Sequence, residues 1–163
     1  MFHRFSHSAR SVVFRAHEIA QSHEGRFIEP DHILLALIVL HPQLFSKLTG
    51  ATIDIQEIKQ EISKPPSSSH GSRKSRGLKL SEESKCVLLA AVREADSCRS
   101  WLEVSKTSEL PKWLMRWRLW RDWRVDERHI LLGFLVNPEI PCSVFLLRRG
   151  VTLETARQRL LPG

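Results

Sequence analysis

Residues 29–40 have the sequence "EPDHILLALIVL", and residues 126–136 have the sequence "DERHILLGFLV". Both stretches place acidic residues just before His-Ile-Leu-Leu and continue with apolar residues. The two histidines, His32 and His129, are 97 positions apart. A motif that recurs in the same setting within one short chain predicts an internal repeat, which has to be recognised before any other motif is interpreted.

A second pair of segments supports the repeat. "FSHSARSVVFRAHEIA" (5–20) aligns with "LSEESKCVLLAAVREA" (80–95) at an offset of 75. The apolar positions 9, 12, 13, 16 and 20 fall on one helical face and match their counterparts. Ser6 matches Ser81, and a serine followed by acids, as in the second segment, is typical of a helix start. Each segment is therefore predicted to be an amphipathic helix with one buried stripe.

A third landmark completes the repeating unit. "TGATID" (49–54) matches "RGVTLE" (149–154) at an offset of 100, so each copy predicts four helices. The predicted fold class is all-α, with two four-helix repeats related by a pseudo-two-fold axis and eight helices in total. The first copy is predicted at 1–63, a basic flexible linker at 64–79, and the second copy at 80–163.

The second copy also contains an insertion. The offset between the copies grows by 22 residues, from 75 at residues 5–20 to 97 at His32. This growth places extra sequence in the second copy at about 101–124. All five tryptophans of the chain lie there, and Trp113, Trp117 and Trp120 follow one another at helical spacing, with Arg116 and Arg121 beside them. Tryptophan and arginine are enriched in binding hot spots, although a stripe at helical spacing also suits core packing. The segment predicts a helix that either docks a partner or packs on the repeats.

Composition and charge narrow the function classes. The chain has 163 residues, of which 42% are hydrophobic and 26% charged, as in ordinary globular proteins. Segments 64–79 and 102–124 account for the net charge of +7, which leaves a nucleic-acid-binding protein as the alternative function. No apolar run matches a membrane span and the N-terminus lacks a signal-peptide core, so a cytoplasmic location with no membrane partner is expected.

The sequence offers no catalytic constellation. It contains no G-x-x-x-x-G-K-[ST], G-x-S-x-G or H-E-x-x-H motif. Cys86, Cys98 and Cys142 have no metal-ligand spacing and are predicted to be buried or half-buried free thiols. His3 and His7 lack a matched carboxylate, and the histidines of the repeated motif are expected to be structural. We therefore predict no enzymatic activity, no cofactor and no metal.

The duplicated residues resemble a known family. F-[ST]-x-x-A-[RK]-x-V, an acid before His-Ile-Leu-Leu, and a G-x-[ST]-[LI] helix start resemble the amino-terminal double repeat of Clp-type AAA+ unfoldases of the ClpC and ClpA kind. The resemblance covers nearly the whole chain apart from the linker and the insertion. It implies a monomeric, non-catalytic protein-binding module without ATPase modules. Its implied partners are substrate proteins, adaptors, or a separate Clp ATPase or protease subunit.

The resemblance also implies a peptide-binding pocket. In relatives that serve the degradation of arginine-phosphorylated proteins, the hydroxyl of the first motif and the acid of the second bind phosphoarginine. Carried over, these residues are Ser6 and Asp31 in the first copy, and Ser81 in the second, where Arg128 takes the acid position and Glu127 is one residue out of register. A cation disfavours guanidinium, so binding is expected in the first copy alone. The alternative is that both serines are helix caps and that Asp31 only interacts favourably with the positive end of the helix dipole.

Overall fold

The computed structural model describes residues 2–49, 77–104 and 124–160, and for 98–104 it describes the backbone only. Within these ranges the chain is an assembly of seven α-helices, which confirms the predicted all-α class. A short 3-10 turn, Phe2–Arg4, precedes the first of them. The helices are α1 (His7–Ser22), α2 (Pro30–Leu40), α3 (Pro42–Thr49), α4 (Glu82–Val104), α5 (Glu127–Val136), α6 (Pro141–Arg148) and α7 (Leu153–Leu160).

The order of the helices follows the repeat. α1, α2 and α3 of the first copy recur as α4, α5 and α6 of the second, and α7 is the fourth helix of the second copy. His41 alone separates α2 from α3, whereas residues 137–140 separate α5 from α6. The second copy thus has a turn three residues longer, which accounts for the growth of the offset from 97 to 100. The fourth helix predicted for the first copy lies outside the described residues. The count of eight helices therefore stays a prediction.

The first helix of each copy buries one stripe. All four buried residues of α1 have buried counterparts 75 positions later in α4. The stripe comprises Ala9, Val12, Ala16 and Ala20 in α1 and Ser84, Val87, Ala91 and Ala95 in α4. The amphipathic pattern of the sequence is confirmed, with a serine at one stripe position of the second copy.

The two first helices differ in length. α1 has 16 residues and α4 has 23, because α4 continues to Val104 and enters the segment predicted as an insertion from about residue 101. No glycine or proline occurs between residues 82 and 104 to stop the helix. The predicted helix that carries Trp113, Trp117 and Trp120 lies outside the described residues.

The core lies between the two copies. α1 packs against α2, α4 packs against α5, and α2 and α5 are buried on most sides. α3 of the first copy packs against α7 of the second, so helices cross between the copies at the outer layer as well. The largest fully buried side chains include Phe5, Phe45 and Phe134. Burial of this apolar surface is the main force that holds the copies together.

Two short parallel strand pairings also join the copies. β1 (Phe27–Ile28) pairs with β2 (Lys79–Leu80), and Phe5 forms an isolated parallel bridge with Val125. Each pairing joins the segment before the first helix of one copy to the segment before the second helix of the other. Lys79, predicted as the last residue of the linker, therefore belongs to a strand. These pairings decide which helix starts are neighbours.

Two helix pairs form sharp corners. α2 meets α3 at 90° and α5 meets α6 at 97°, with Pro42 and Pro141 as the first residues of α3 and α6. Proline suits this position because the first turn leaves backbone N–H groups without helical partners. Across the described ranges, no single helix is long and apolar enough to cross a membrane, and only these bent pairs reach that length and composition when both helices are combined.

Candidate functional site

Ser6 and Ser81 both cap helices. Ser6 Oγ accepts a hydrogen bond from the Ala9 amide at 3.1 Å, and Ser81 Oγ accepts one from the Ser84 amide at the same distance. Each hydroxyl satisfies one of the N–H groups that the first helical turn leaves without a backbone partner. Capping is thus an observed role of both serines, and ligand binding by them remains a prediction.

Each capping serine lies beside a helix start of the other copy. The Ser6 amide donates to the carbonyl oxygen of Val125 at 2.8 Å, and the Ser81 amide donates to that of Ile28 at 3.1 Å. Two junctions result, which we name the α1–α5 junction (Ser6, Ser8, Glu127) and the α4–α2 junction (Ser81, Ser84, Asp31).

This arrangement differs from the pairing that the resemblance implies. Ser6 and Asp31 were expected in one first-copy pocket, but the backbone bonds place Ser6 beside the start of α5 and Ser81 beside the start of α2, which carries Asp31. The physical reason is the strand exchange between the copies. An alignment of the two copies shows which residues are equivalent. It does not show whether two residues that form one site come from the same copy or from different copies.

The α1–α5 junction combines two hydroxyls with a carboxylate. Ser6 Oγ and Ser8 Oγ are 3.0 Å apart, and Ser8 Oγ donates to the carboxylate of Glu127. All three residues are half-buried and lie at the starts of two helices. Hydroxyls and helix-start amides suit a phosphate, and a carboxylate suits a guanidinium or an amine. Sequence reasoning noted Glu127 as out of register and did not single out Ser8.

Arg128 is directed at another helix end. Its Nη1 donates to the carbonyl oxygen of Leu160 at 3.1 Å, and its Nε lies 3.3 Å from a carboxylate oxygen of Asp126. The guanidinium thereby contacts the last residue of α7, where the helix dipole is negative. The expected repulsion of a cationic ligand by Arg128 is weaker in this geometry, because the charge is engaged by these two oxygen atoms.

At the α4–α2 junction, Asp31 already has a hydrogen-bond donor. The Cys142 thiol lies 2.6 Å from Asp31 Oδ1, and Ser84 Oγ donates to the Ile28 carbonyl at 2.7 Å. Burial, and then the negative charge of Asp31, raise the pKa of the Cys142 thiol far above its usual range, so the thiol keeps its proton. Asp31 is thus held by a protein donor. No sequence pattern pointed to this contact between α2 and α6.

The described cysteines differ in exposure. Cys142 is buried, as predicted, whereas Cys86 is exposed on the outer surface of α4. Position 86 corresponds to Ser11 on the half-buried side of α1, so the repeat alone did not identify it as a surface residue. Trp113, Trp117, Trp120, Arg116 and Arg121 lie outside the described residues, and their docking role stays a prediction.

The sequence matches the Clp repeat (R) N-terminal domain family over residues 4–101. The chain belongs to the Clp repeat N-terminal domain family. No curated protein sequence matches the chain. Domains of this family are non-catalytic protein-interaction modules of AAA+ Clp chaperones.

Two solved Clp repeat domains share this fold. The Hsp104 N-terminal domain from Candida albicans is 18% identical, with 95% of this chain and 87% of that chain covered and a TM-score of 0.63. The N-terminal domain of the caseinolytic protease associated chaperone ClpD from Arabidopsis thaliana is 20% identical, with 99% and 97% covered and a TM-score of 0.63. At these identities the likeness establishes the fold alone.

A histidine stabilises the second helix in each half of this Clp repeat domain. His32 Nδ1 accepts a hydrogen bond from the Glu29 amide at 3.0 Å, and His129 Nδ1 accepts one from the Asp126 amide at 3.2 Å. The structural role predicted for both histidines holds, and each bond is to the start of the helix that carries the histidine. The imidazole of His32 must be unprotonated at Nδ1 to accept this bond. His129 Nδ1 also lies 2.7 Å from a carboxylate oxygen of Asp126, which is the distance of an ion pair.

The electrostatics of the two helix starts differ. Burial, and then the nearby His23, lower the pKa of His32, although Asp31 opposes this effect. At the other start, burial acts to raise the pKa of Asp126, but hydrogen bonds and the charges of His129 and Arg128 lower it overall. The first copy therefore favours a neutral imidazole, and the second favours an ionised carboxylate.

Acidification is expected to destabilise the first helix start. The folded chain holds a proton on His32 less readily than the unfolded chain, whose histidine pKa is near 6.5. Below that pH the unfolded state binds more protons, so the free energy of unfolding falls as pH falls. In urea titrations at about pH 8 and about pH 5.5, His32→Asn should show a smaller pH dependence than the wild type. His3→Asn, on an exposed histidine, is the control; equal slopes for wild type and His32→Asn would refute the assignment.

Proposed function

We propose that this chain is a non-catalytic module that captures substrate proteins or adaptors for a separate Clp ATPase, or regulates that ATPase. The observation that carries the proposal is the α1–α5 junction, in which two hydroxyls and a carboxylate meet at helix starts of different copies. Membership in a family of Clp interaction modules supports the same function. Because the sequence has no phosphate-binding loop, we expect ATP-driven work to depend on another subunit.

The chemistry of the α1–α5 junction suits a phosphoarginine side chain. The phosphate would be bound by the hydroxyls of Ser6 and Ser8 and the free positive end of α1, and the guanidinium would be bound by Glu127. At the α4–α2 junction the carboxylate is Asp31, which accepts the Cys142 thiol. Both carboxylates thus have a protein donor, but the Ser8 hydroxyl at Glu127 is half-buried and the Cys142 thiol is buried, so a ligand displaces the donor less easily at Asp31. We therefore propose that the α1–α5 junction is the stronger of the two sites.

Glu127→Gln tests this assignment directly. The change keeps the size of the side chain and removes its charge, so a fluorescent peptide with one phosphoarginine should bind about tenfold more weakly. The same peptide with unmodified arginine is the ligand control, and Asp31→Asn is the matched protein control, expected to change affinity less than about threefold. Fluorescence anisotropy with the full chain measures both.

Two outcomes would contradict the proposal. If the arginine and phosphoarginine peptides bind equally, the hydroxyls do not recognise phosphate. If Asp31→Asn weakens binding and Glu127→Gln does not, the α4–α2 junction is the site and the Cys142 contact does not obstruct it. Thermal unfolding of each variant checks that the fold is intact.

Nucleic-acid binding is the competing function, suggested by the basic segments 64–79 and 102–124. Neutralising several phosphates makes affinity fall steeply with salt. A single-stranded oligonucleotide that binds tightly at low salt and loses about a thousandfold affinity by moderate salt would favour this function over peptide capture.

A further inference from the structure

Phe14 is exposed on the outer face of α1. Its side chain is 65% exposed, the largest value among the big hydrophobic residues of the described ranges, while the opposite face of α1 is buried. A single exposed phenylalanine is common on protein surfaces. A binding role for Phe14 therefore depends on the residues that surround it on the surface of α1.

The repeat places an exposed apolar residue at the same position of the second copy. Position 14 corresponds to position 89, and Leu89 is 48% exposed on α4. A cation precedes each by four residues, Arg10 in α1 and Lys85 in α4. Residues four apart lie next to each other on a helix surface. Both copies therefore display an apolar side chain beside a cation.

The charge around the two positions differs. Lys85 Nζ lies 2.5 Å from a carboxylate oxygen of Glu82, so α4 neutralises its own cation. The first turn of α1 has no acidic residue, and the Nε of Arg10 donates to the Phe5 carbonyl oxygen at 3.0 Å. Arg10 has no carboxylate partner within the described parts of the chain.

The carboxylate on the other side of Phe14 is also engaged. Glu18, four residues after Phe14, binds Arg15 at 2.7 Å. The outer face of α1 thus combines an exposed phenyl ring with a positive charge that pairs with no carboxylate among the described residues. A partner group that is both apolar and acidic complements it, since the ring can be covered and the guanidinium paired in one contact.

We propose that the outer face of α1, centred on Phe14 and Arg10, docks a segment of a partner protein that carries apolar side chains flanked by carboxylates. Aromatic residues, phenylalanine included, and arginine are enriched at protein interfaces relative to the rest of the surface. Phe14 lies eight residues after Ser6, about 12 Å along the helix, so the ring is separate from the α1–α5 junction, whereas Arg10 lies one turn from Ser6. Phe14→Ser therefore tests the proposal independently of phosphoarginine binding.

The test uses a fluorescent 15-residue helical peptide with leucines on one face and glutamates on the other, and the full chain as receptor. Phe14→Ser should weaken binding about 30-fold, as expected for an interface hot spot. Leu89→Ser, at the equivalent position beside a neutralised cation, is the matched control and should change affinity less than about twofold. Both residues are exposed, so both variants should keep the circular dichroism of the wild type.

Charge reversal gives the second measurement. Arg10→Glu should weaken binding of the glutamate peptide and improve binding of the same peptide with lysine in place of glutamate. The proposal is overturned if the wild type does not bind the glutamate peptide, if Phe14→Ser and Leu89→Ser have equal effects, or if Arg10→Glu leaves the preference between the peptides unchanged.

Discussion

Gly133→Ala is expected to lower the free energy of unfolding by about 3 kcal/mol, at the upper end of the usual cost of overpacking. A Cβ atom at Gly133 would lie 2.4 Å from the Val87 carbonyl oxygen and 2.9 Å from the Ala91 nitrogen. These are backbone atoms of α4, so α4 and α5 would have to move apart along their whole contact. The better helix propensity of alanine, about 1 kcal/mol, does not offset this cost.

Two matched changes isolate the clash at Gly133. Gly150→Ala introduces alanine at a φ of +76° with no atom within 4 Å, so only backbone strain of about 1–2 kcal/mol is expected. Ala36→Gly, at the equivalent buried position of α2, should cost about 1–2 kcal/mol through helix propensity and the loss of a buried methyl group. Urea unfolding of the three variants gives the comparison. A Gly133→Ala variant within about 0.5 kcal/mol of wild type would show that the helices separate without cost.

Arg157→Met is expected to cost about 2–3 kcal/mol of unfolding free energy. Arg157 on α7 donates from Nε and Nη2 to the two carboxylate oxygens of Glu94 on α4, at 3.0 and 2.7 Å. The Glu94 side chain is only 8% exposed, and breaking a fully buried pair costs about 3–5 kcal/mol because the remaining charge is uncompensated. Arg157 is 45% exposed, which places the expected effect below that range.

An ion pair elsewhere on α4 provides the control. Arg4 lies 2.5 Å from Asp96, whose side chain is 49% exposed. Arg4→Met should cost less than about 1 kcal/mol, because water solvates the charge that remains on the half-exposed Asp96. Glu94→Leu combined with Arg157→Met should recover much of the loss from Arg157→Met alone. Equal costs for Arg157→Met and Arg4→Met would mean that burial of Glu94 has no effect on the strength of its pair.

The repeat and the buried faces were predictable because they depend on local sequence. The apolar spacing of residues 9–20 and 84–95 identified the stripes of α1 and α4, and the matched His32 and His129 set the register of α2 and α5. The longer turn after α5 followed from the change in offset. Each of these features shows in the sequence as a periodic pattern, because a helix buries one face only when its apolar residues recur at helical spacing.

The composition of the junctions was not predictable from the same information. The Ser8–Glu127 hydrogen bond joins residues 119 positions apart, and the Cys142–Asp31 bond joins residues 111 positions apart. An internal repeat shows which residues are equivalent, but the strand pairings between the copies determine which residues are neighbours. Arg128 also appeared to occupy a ligand position in the alignment, whereas its long side chain reaches the end of α7.

The crossed strand pairings change what counts as one folding unit. The backbone of Ile28 bonds to that of Ser81, and the backbone of Val125 bonds to those of Arg4 and Ser6. Each repeat thus supplies the hydrogen-bond partners for backbone groups of the other repeat. A repeat alone would need a second molecule to do the same, and its assembly would depend on concentration. Covalent linkage replaces that dependence with a fixed effective concentration, typically in the millimolar range for short flexible connections. In the duplicated chain each repeat is thus linked to its pairing partner in a one-to-one ratio, and dilution does not change that ratio.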